Sequence, residues 1–380
     1  MFVFLAAWLI AASCFINVNK FSLHAYYRNR LIRAYLGASN VWRRPNPFTG
    51  FDQGDNIAMS ELAGGRPLHI VNTALNIVHG ESLAWQERKA SSYSISRIAV
   101  GDKEVSYRPA DRYGSSISLG TAMAISGAAV SPNMGYNSSP ILTFIMTLFN
   151  ARLGWWLGNP LQSNWTGAGP KLALWPFIVE LFGLTNARRQ YVYLSDGGHF
   201  ENLGVYEMLR RRCRTIVVVD AGCDPEMKFA DLGNLIRKAR IDLGVEIAYY
   251  GPQPPYTGSD PMRLGLVNRP KAPGRAPYCA IGTIGYPDTD AMGMLIYIKA
   301  AIHGDEPEDV WGYAAVHDEF PHESTADQFF SESQFESYRR LGFHVGSTIF
   351  AGPGEPRSAS IDLEKRAIEH CRKCGDRSLA

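Results

Sequence analysis

Two short apolar runs that each end in an aspartate constrain the fold of this chain more than any other feature. Residues 191–196 read YVYLSD and residues 214–220 read RTIVVVD, and a helix-like segment follows each run. The second such segment, at 231–243, has apolar residues at helical spacing. Strands that alternate with helices are typical of parallel sheets, so we predict an α/β fold. Ligands bind at the carboxyl ends of such strands, where Asp196 and Asp220 lie.

The composition narrows the classes of function. The chain has 380 residues, of which 46% are hydrophobic, and its net charge is +2. This charge argues against a general nucleic-acid binder, so we expect no nucleic-acid partner. Six cysteines without a dense framework favour a reducing compartment. The CRKC sequence at 371–374 lacks a second pair of ligands, and we interpret it as a tail with two thiols rather than a zinc site.

The first 18 residues, MFVFLAAWLIAASCFINV, contain no charged side chain. As a helix they would span roughly 27 Å, so we predict a transmembrane helix at 1–18 and a basic juxtamembrane linker at 19–65. No acidic residue precedes Asp52, and the one-sided charge predicts a single-pass membrane protein with its domain on the cytoplasmic side. The alternatives are a buried first helix and a solvated basic segment. The basic residues that carry this prediction are Lys20, Arg28, Arg30, Arg33, Arg43 and Arg44.

The sequence Asp196-Gly197-Gly198 places a carboxylate at the end of a strand-like run. A carboxylate in such a position is costly to desolvate unless it is paired or used in chemistry. We expect the glycines to adopt positive φ and to bring the backbone close to a ligand or to a neighbouring strand. The alternative role for Asp196 is to cap the helix that follows.

This segment resembles the patatin-like phospholipases, whose catalytic aspartate lies in a DG[GA] motif. Asp196-Gly197-Gly198 matches that motif, and Asn202 matches an asparagine that follows it in many members. Residues 67–80 and 122–132 are similar to the strand and the small-residue segment of the family, in the expected order. The resemblance covers about residues 66–225. It implies a partial three-layer α/β/α sandwich at 66–250, with a carboxyl-terminal extension at 251–380.

The resemblance also implies a serine–aspartate dyad that hydrolyses lipid esters without a cofactor or a metal ion. Asp196 would be the general base, and Gly197, Gly198, His199 and Asn202 would line the substrate pocket, although His199 could instead bond the turn. The G-x-S-x-G elbow of the family does not occur in the sequence, and Ser126 is the nearest candidate nucleophile, in a segment that the resemblance assigns to packing.

We therefore expect a membrane-associated lipid acyl hydrolase in which this chain supplies the aspartate half of the site. An upstream-encoded half would carry the nucleophile, and membrane lipids would be the substrate or the ligand. The alternative is a catalytically inactive remnant of the same fold that binds lipids or a partner.

Overall fold

The computed structural model divides the chain into two compact units, unit 1 from Met1 to Glu207 and unit 2 from Met208 to Ala380. The start of the predicted extension and the end of the predicted 67–80 segment lie outside the described residues. The structure describes residues 1–62, 64, 66–78, 87–132, 140–148, 150–249, 264–270, 276–324, 327, 329–351 and 362–377.

Unit 1 is built on a six-stranded sheet with the strand order β4-β3-β2-β1-β6-β5. Every strand pairing in this sheet is antiparallel among the described residues. The core on the sheet includes Leu75, Tyr93, Ile125 and Leu194, none of which is exposed to solvent. The strands are β1 (Ile70–Asn76), β2 (Ala90–Ser96), β3 (Ala99–Asp102), β4 (Ser106–Pro109), β5 (Trp155–Gly158) and β6 (Tyr191–Asp196).

The helices of unit 1 pack around this sheet. The second helix contacts the fourth, and the fourth contacts β1. The range predicted to be a basic linker contains the second and third helices. The helices are α1 (Phe2–Phe15), α2 (Leu23–Leu31), α3 (Gly37–Ser39), α4 (Leu119–Ser126), α5 (Pro140–Leu148), α6 (Leu174–Leu181) and α7 (Val205–Arg210), which continues into unit 2.

Unit 2 contains a four-stranded sheet with the order β7-β10-β9-β8, in which only β7 and β10 run parallel among the described pairings. Phe320, Leu341 and Ile349 belong to its core. The strands are β7 (Thr215–Asp220), β8 (Glu246–Tyr249), β9 (Cys279–Gly285) and β10 (Gly293–Lys299). The helices are α8 (Ala230–Leu243), α9 (Glu308–Val316), α10 (Glu332–Phe350) and α11 (Leu363–Arg377).

The predicted parallel sheet is wrong, and with it the partial three-layer α/β/α sandwich. The strands at the two apolar runs, β6 and β7, form as expected, but they belong to different sheets. Strand β6 pairs with β1 on one edge and β5 on the other, so no edge of β6 is left for β7. The structure is instead mixed α/β with largely antiparallel sheets.

The predicted transmembrane helix at 1–18 is also wrong. Helix α1 has 14 residues and ends at Phe15, so it is about 21 Å long, against a hydrocarbon core of about 30 Å. The side chain of Asn17 accepts hydrogen bonds from the backbone N–H groups of Asn19 and Lys20, which turns the chain. Asn19 is buried and bonds to Trp156. Among the described residues, no helix combines the length and the apolar character that crossing a bilayer requires.

Candidate functional site

Strand β6 brings Asp196 next to β1, where it pairs with Thr73. The strand ends at Asp196 because its side chain accepts the N–H of Gly198 at 2.7 Å, which starts a 3₁₀ turn over Gly197–His199. The carbonyl of Gly197 then accepts the N–H groups of Phe200 and Glu201. Asp196 therefore caps a turn with one oxygen, as its alternative role predicted, and this leaves its other oxygen available for further contacts.

Both glycines after Asp196 lie close to neighbouring groups, but only Gly197 lies against backbone. A Cβ atom on Gly197 would lie 2.9 Å from the carbonyl oxygen of Asn72 on β1. One on Gly198 would lie 2.7 Å from Oδ1 of Asn202. The expected positive φ is wrong for both residues and occurs at Gly204, at 69°. The first glycine thus lets the turn lie directly on the neighbouring strand.

Asp196 lines an open cleft of about 530 Å³ in unit 1. Three of the predicted pocket residues, Gly197, Gly198 and Asn202, also line it, and so does Ser126. His199 is absent from its described lining. Apolar side chains from β1, α2 and α4 share the lining with polar groups, which suits a ligand that has both characters. The remaining lining residues are Tyr27, Leu31, His69, Ile70, Val71, Asn72, Met123, Gly127, Glu201, Leu203 and Gly204.

Burial raises the pKa of Asp196, while the hydrogen bond from the Gly198 N–H lowers it to a smaller extent. A carboxylate with a raised pKa is a better base than one at the ordinary value. Tyr27 from α2 lies close enough for the Asp196 charge to act on it, because burial and then this charge raise the pKa of its hydroxyl. At neutral pH Tyr27 therefore presents a hydrogen-bond donor to the cleft.

Ser126 does not have the surroundings of a serine nucleophile. It is the last residue of α4, and its hydroxyl donates to the carbonyl oxygen of Asn72 at 2.7 Å. The next two N–H groups, of Gly127 and Ala128, donate to the carbonyls of Met123 and Ile125. The N–H after a nucleophile normally stabilises the oxyanion, and the carboxyl end of a helix carries partial negative charge. Both effects disfavour an oxyanion at this position.

His199 belongs to a chain of hydrogen bonds beneath the turn. Its Nε2 lies 3.2 Å from the carbonyl of Ala129, so Nε2 carries the proton, and Nδ1 accepts the hydroxyl of Ser195 at 2.7 Å. Asn76 in turn donates to that hydroxyl oxygen at 2.7 Å. Burial lowers the pKa of His199 to about 4. This serine–histidine pair holds the turn in place, and Ser195 is fully buried, so its hydroxyl has no access to a substrate.

Sequence reasoning missed several polar residues of the cleft, among them Tyr27, Asn72 and Glu201. Glu201 is buried and accepts the N–H groups of Leu203 and Tyr206, which fixes the start of α7. Only Glu201 left a signal in the sequence, as an acidic residue shortly before a helix. Tyr27 and Asn72 reach the cleft because α2 and β1 pack against distant parts of the chain, and no local sequence pattern predicts such packing.

The acids in and after the second apolar run, Asp220 and Asp224, form hydrogen bonds and an ion pair within unit 2. Asp220 accepts the N–H of Gly222 and forms an ion pair with Lys299 at 3.1 Å. Asp224 accepts the N–H groups of Lys228 and Phe229 ahead of α8. Both acids therefore cap the turns that follow them.

The CRKC cysteines lie on α11, and the thiol of Cys371 is 3.7 Å from that of Cys279 on β9. All six cysteines of the chain are free thiols. In the part of the chain that the structure describes, no group of three or more His, Cys, Asp or Glu side chains has a geometry that could hold a metal ion.

Comparisons with protein families and curated proteins found no relative of this chain. No protein-family model matches the chain, and no curated protein is significantly similar to it. The chemistry of the cleft therefore depends on its residues: a carboxylate of raised pKa, a tyrosine donor and a partly apolar wall.

Proposed function

We propose that unit 1 supplies the aspartate side of a lipid acyl hydrolase site. The observation that carries this proposal is Asp196, whose carboxylate of raised pKa ends a strand and faces a cleft of about 530 Å³. The resemblance of the Asp196-Gly197-Gly198 segment to patatin-like phospholipases supports it. The apolar part of the lining would contact an acyl chain, and the polar part would contact the ester.

The proposed reaction is acyl transfer through a serine that an upstream-encoded segment provides. Its hydroxyl oxygen attacks the ester carbonyl while its proton passes to the carboxylate of Asp196, and the ester's alcohol leaves with that proton. Water then attacks the acyl-serine while Asp196 takes a proton from it, and Asp196 returns this proton to the serine oxygen as the fatty acid leaves. Ser126 is not this nucleophile, because the N–H groups that follow it are already hydrogen-bonded within the chain.

The first test compares the chain alone with the chain co-expressed with its upstream-encoded segment. We expect the chain alone to show neither turnover of a chromogenic fatty ester nor labelling by a fluorophosphonate probe. Loss of one oxyanion donor costs about 100- to 1,000-fold in rate, and loss of a nucleophile costs more. With the second segment present, we expect that segment to be labelled. Turnover by the chain alone, with Ser126 labelled, would contradict the proposal.

The second test replaces the carboxylate in the co-expressed form. Asp196→Asn should lower turnover at least 100-fold and leave the folded structure unchanged, because the amide is nearly isosteric but cannot accept a proton. Asp111→Asn is a matched control, since Asp111 is an exposed carboxylate of the same unit. Equal activity of the two variants would refute the role of Asp196 as a base.

A second candidate function is a lipid- or partner-binding remnant without chemistry. The observation that favours it is the hydrogen bond that Ser126 donates to the carbonyl of Asn72, which occupies the hydroxyl of the cleft's serine. No labelling in either form of the first test, together with saturable binding of a fluorescent fatty acid, would support this second function.

A further inference from the structure

Three helices of unit 1 expose large apolar side chains to solvent. Phe4 of α1 is 74% exposed, Ile141 of α5 is 75% exposed and Trp175 of α6 is 48% exposed. Soluble proteins rarely leave so many large apolar residues in one region without a partner. We call this set the aromatic face, and its members are Phe4, Trp8, Phe15, Ile141, Phe144, Ile145, Trp175 and Phe182.

Direct contacts hold these helices together. The N–H of Ala173, at the start of α6, donates to the carbonyl of Ser13 in α1 at 3.0 Å. Helices α5 and α6 pack against each other. Val18, just after α1, packs with Val179 of α6 in one small core. The three helices that carry the aromatic face are therefore joined by direct contacts within one unit.

Basic residues flank the helices of the aromatic face in the chain. Lys20 follows α1, Lys171 precedes α6, and both are exposed. The guanidinium of Arg189 lies over the ring of Trp175, 5.5 Å from its centre. Long basic side chains beside tryptophan are typical of proteins that contact the headgroup region of a bilayer.

Acidic side chains are almost absent from the segments that form and surround this face. Residues 1–51 and 112–195 contain eleven Lys and Arg but a single Asp or Glu, which is Glu180. Glu180 is fully buried and pairs with Arg152 at 2.8 Å, so it presents no negative charge to solvent. Arg43 likewise pairs with Asp55, at 2.9 Å. The segments that form this face therefore combine exposed apolar side chains with an excess of basic over acidic residues.

We propose that the aromatic face binds a bilayer surface that contains anionic phospholipid. The aromatic and aliphatic side chains enter the boundary between headgroups and acyl chains, and Lys20, Lys171 and Arg189 contact the lipid phosphates. Apolar burial supplies part of the affinity, and attraction to anionic headgroups supplies the rest. The helices lie on the membrane and do not cross it. This binding requires no hydrolysis, so it can be tested independently of the proposed enzymatic function.

The experiment measures co-sedimentation of the full chain with phosphatidylcholine vesicles, with and without 30 mol% phosphatidylglycerol as the anionic probe. We expect binding to the anionic vesicles at low salt, a large loss of that binding in 1 M salt, and weak binding to the neutral vesicles. Trp8→Ser with Trp175→Ser should weaken binding at least tenfold. Lys20→Gln with Lys171→Gln should weaken it about 30-fold on anionic vesicles only, from the usual contribution of two basic residues.

Matched controls come from other surfaces. Trp311 of α9 in unit 2 is 50% exposed, close to the value for Trp175, and Lys103 is an exposed lysine of unit 1. Trp311→Ser and Lys103→Gln should bind as the unchanged chain does. Circular dichroism and thermal melting establish that every variant is folded.

Two results would overturn the proposal. The first is equal binding of the paired variants and their controls. The second is that the unchanged chain binds neither type of vesicle but self-associates in sedimentation runs, and that replacement of Trp8 and Trp175 abolishes this self-association. The aromatic face would then join copies of the protein. Hydrolysis of a soluble short-chain ester by the co-expressed form reports on the enzymatic proposal without involving the vesicles.

Discussion

Asp196 and Asp102 are both aspartates at strand ends whose pKa is raised by burial, but their surroundings differ. Asp196 keeps one oxygen toward a cleft, whereas Asp102 at the end of β3 is 4% exposed and is enclosed by its own turn. Its carboxylate accepts the hydroxyl of Ser91 at 2.7 Å and the N–H groups of Glu104 and Val105 at 2.8 Å. These bonds favour the charged form, but burial outweighs them and raises the pKa of Asp102 from 3.8 to about 6.

This raised pKa predicts a loss of stability as the pH increases. Between about pH 4 and pH 6 the folded chain keeps a proton on Asp102 that the unfolded chain has lost, so the free energy of unfolding falls through this window. The contribution of Asp102 to this fall is about 3 kcal/mol. In Asp102→Asn the amide oxygen can accept the two N–H groups, and the amide nitrogen can donate to the hydroxyl oxygen of Ser91, without a charge. The variant should therefore gain stability relative to the unchanged chain from pH 4 to pH 6 and hold that gain above pH 6.

Urea unfolding of both proteins at a series of pH values measures this difference. Asp111→Asn, which removes an exposed carboxylate from the same unit, should show no such trend. A stability difference between Asp102→Asn and the unchanged chain that stays constant from pH 4 to pH 7 would contradict the prediction.

At the scale of elements, the site depends on how closely the turn after β6 lies on β1. Gly197→Ala would place a Cβ atom 2.9 Å from the backbone carbonyl of Asn72, which cannot move without disturbing β1. We expect a destabilisation of about 1–3 kcal/mol and a displaced Asp196. Gly233 of α8 has no atom within 4 Å of such a Cβ, so Gly233→Ala should be neutral or should stabilise its helix by up to about 1 kcal/mol.

Thermal melting of the two variants gives the comparison directly. In the co-expressed form, Gly197→Ala should also lower turnover, although it leaves every polar side chain in place. Melting of Gly197→Ala at the same temperature as the unchanged chain would show that the close approach between the turn and β1 is not needed.

Local elements could be predicted from the sequence, but their pairing could not. The strand that ends at Asp196, the strand within 67–78 and the helix near 231–243 all form. The continuous apolar run of β6 favours a parallel strand because both faces are buried. In this sheet both faces of β6 are buried as well, although its neighbours run antiparallel. Burial of both faces therefore fixes a central position in a sheet but not the direction of the neighbours.

The site shows the same division between local and distant information. Asp196, Gly197, Gly198 and Asn202 lie within seven residues of one another. The sequence predicted the first as the base and the others as pocket residues, and all four line the cleft, whereas His199, which was predicted with them, does not. Tyr27 reaches the same cleft from a helix about 170 residues earlier in the chain. A contact between residues so far apart in the chain depends on the packing of α2 against α4. The identity of a single residue does not predict it.

At the scale of the whole molecule, the two units differ in charge. Unit 1 has 17 Lys and Arg against 12 Asp and Glu, whereas unit 2 has 21 against 24. The positive excess of unit 1 is concentrated in the segments around the aromatic face, because its acids lie mainly between residues 52 and 111 and from 196 onward. A net charge near +2 for the whole chain hides this asymmetry.

The sheet of unit 1 also predicts which fragments can fold. A fragment of residues 1–190 lacks β6 and therefore separates β5 from β1, whereas a fragment of residues 1–207 contains all six strands. We expect low concentrations of protease to degrade the shorter fragment and to leave a stable product of the longer one. Equal resistance of the two fragments would contradict a central role for β6.

The position of β6 in the chain has a consequence for synthesis. Strand β1 ends at Asn76 and its partner β6 begins at Tyr191, so about 115 residues must be translated between them. At about 5–20 residues per second, the ribosome needs roughly 6–23 s for that distance. Throughout this interval one edge of β1 has unpaired backbone groups, and a growing chain with such an edge is open to mispairing with its neighbours on a polysome. We therefore expect the nascent protein to depend on chaperones most strongly before β6, which ends at Asp196, has been made.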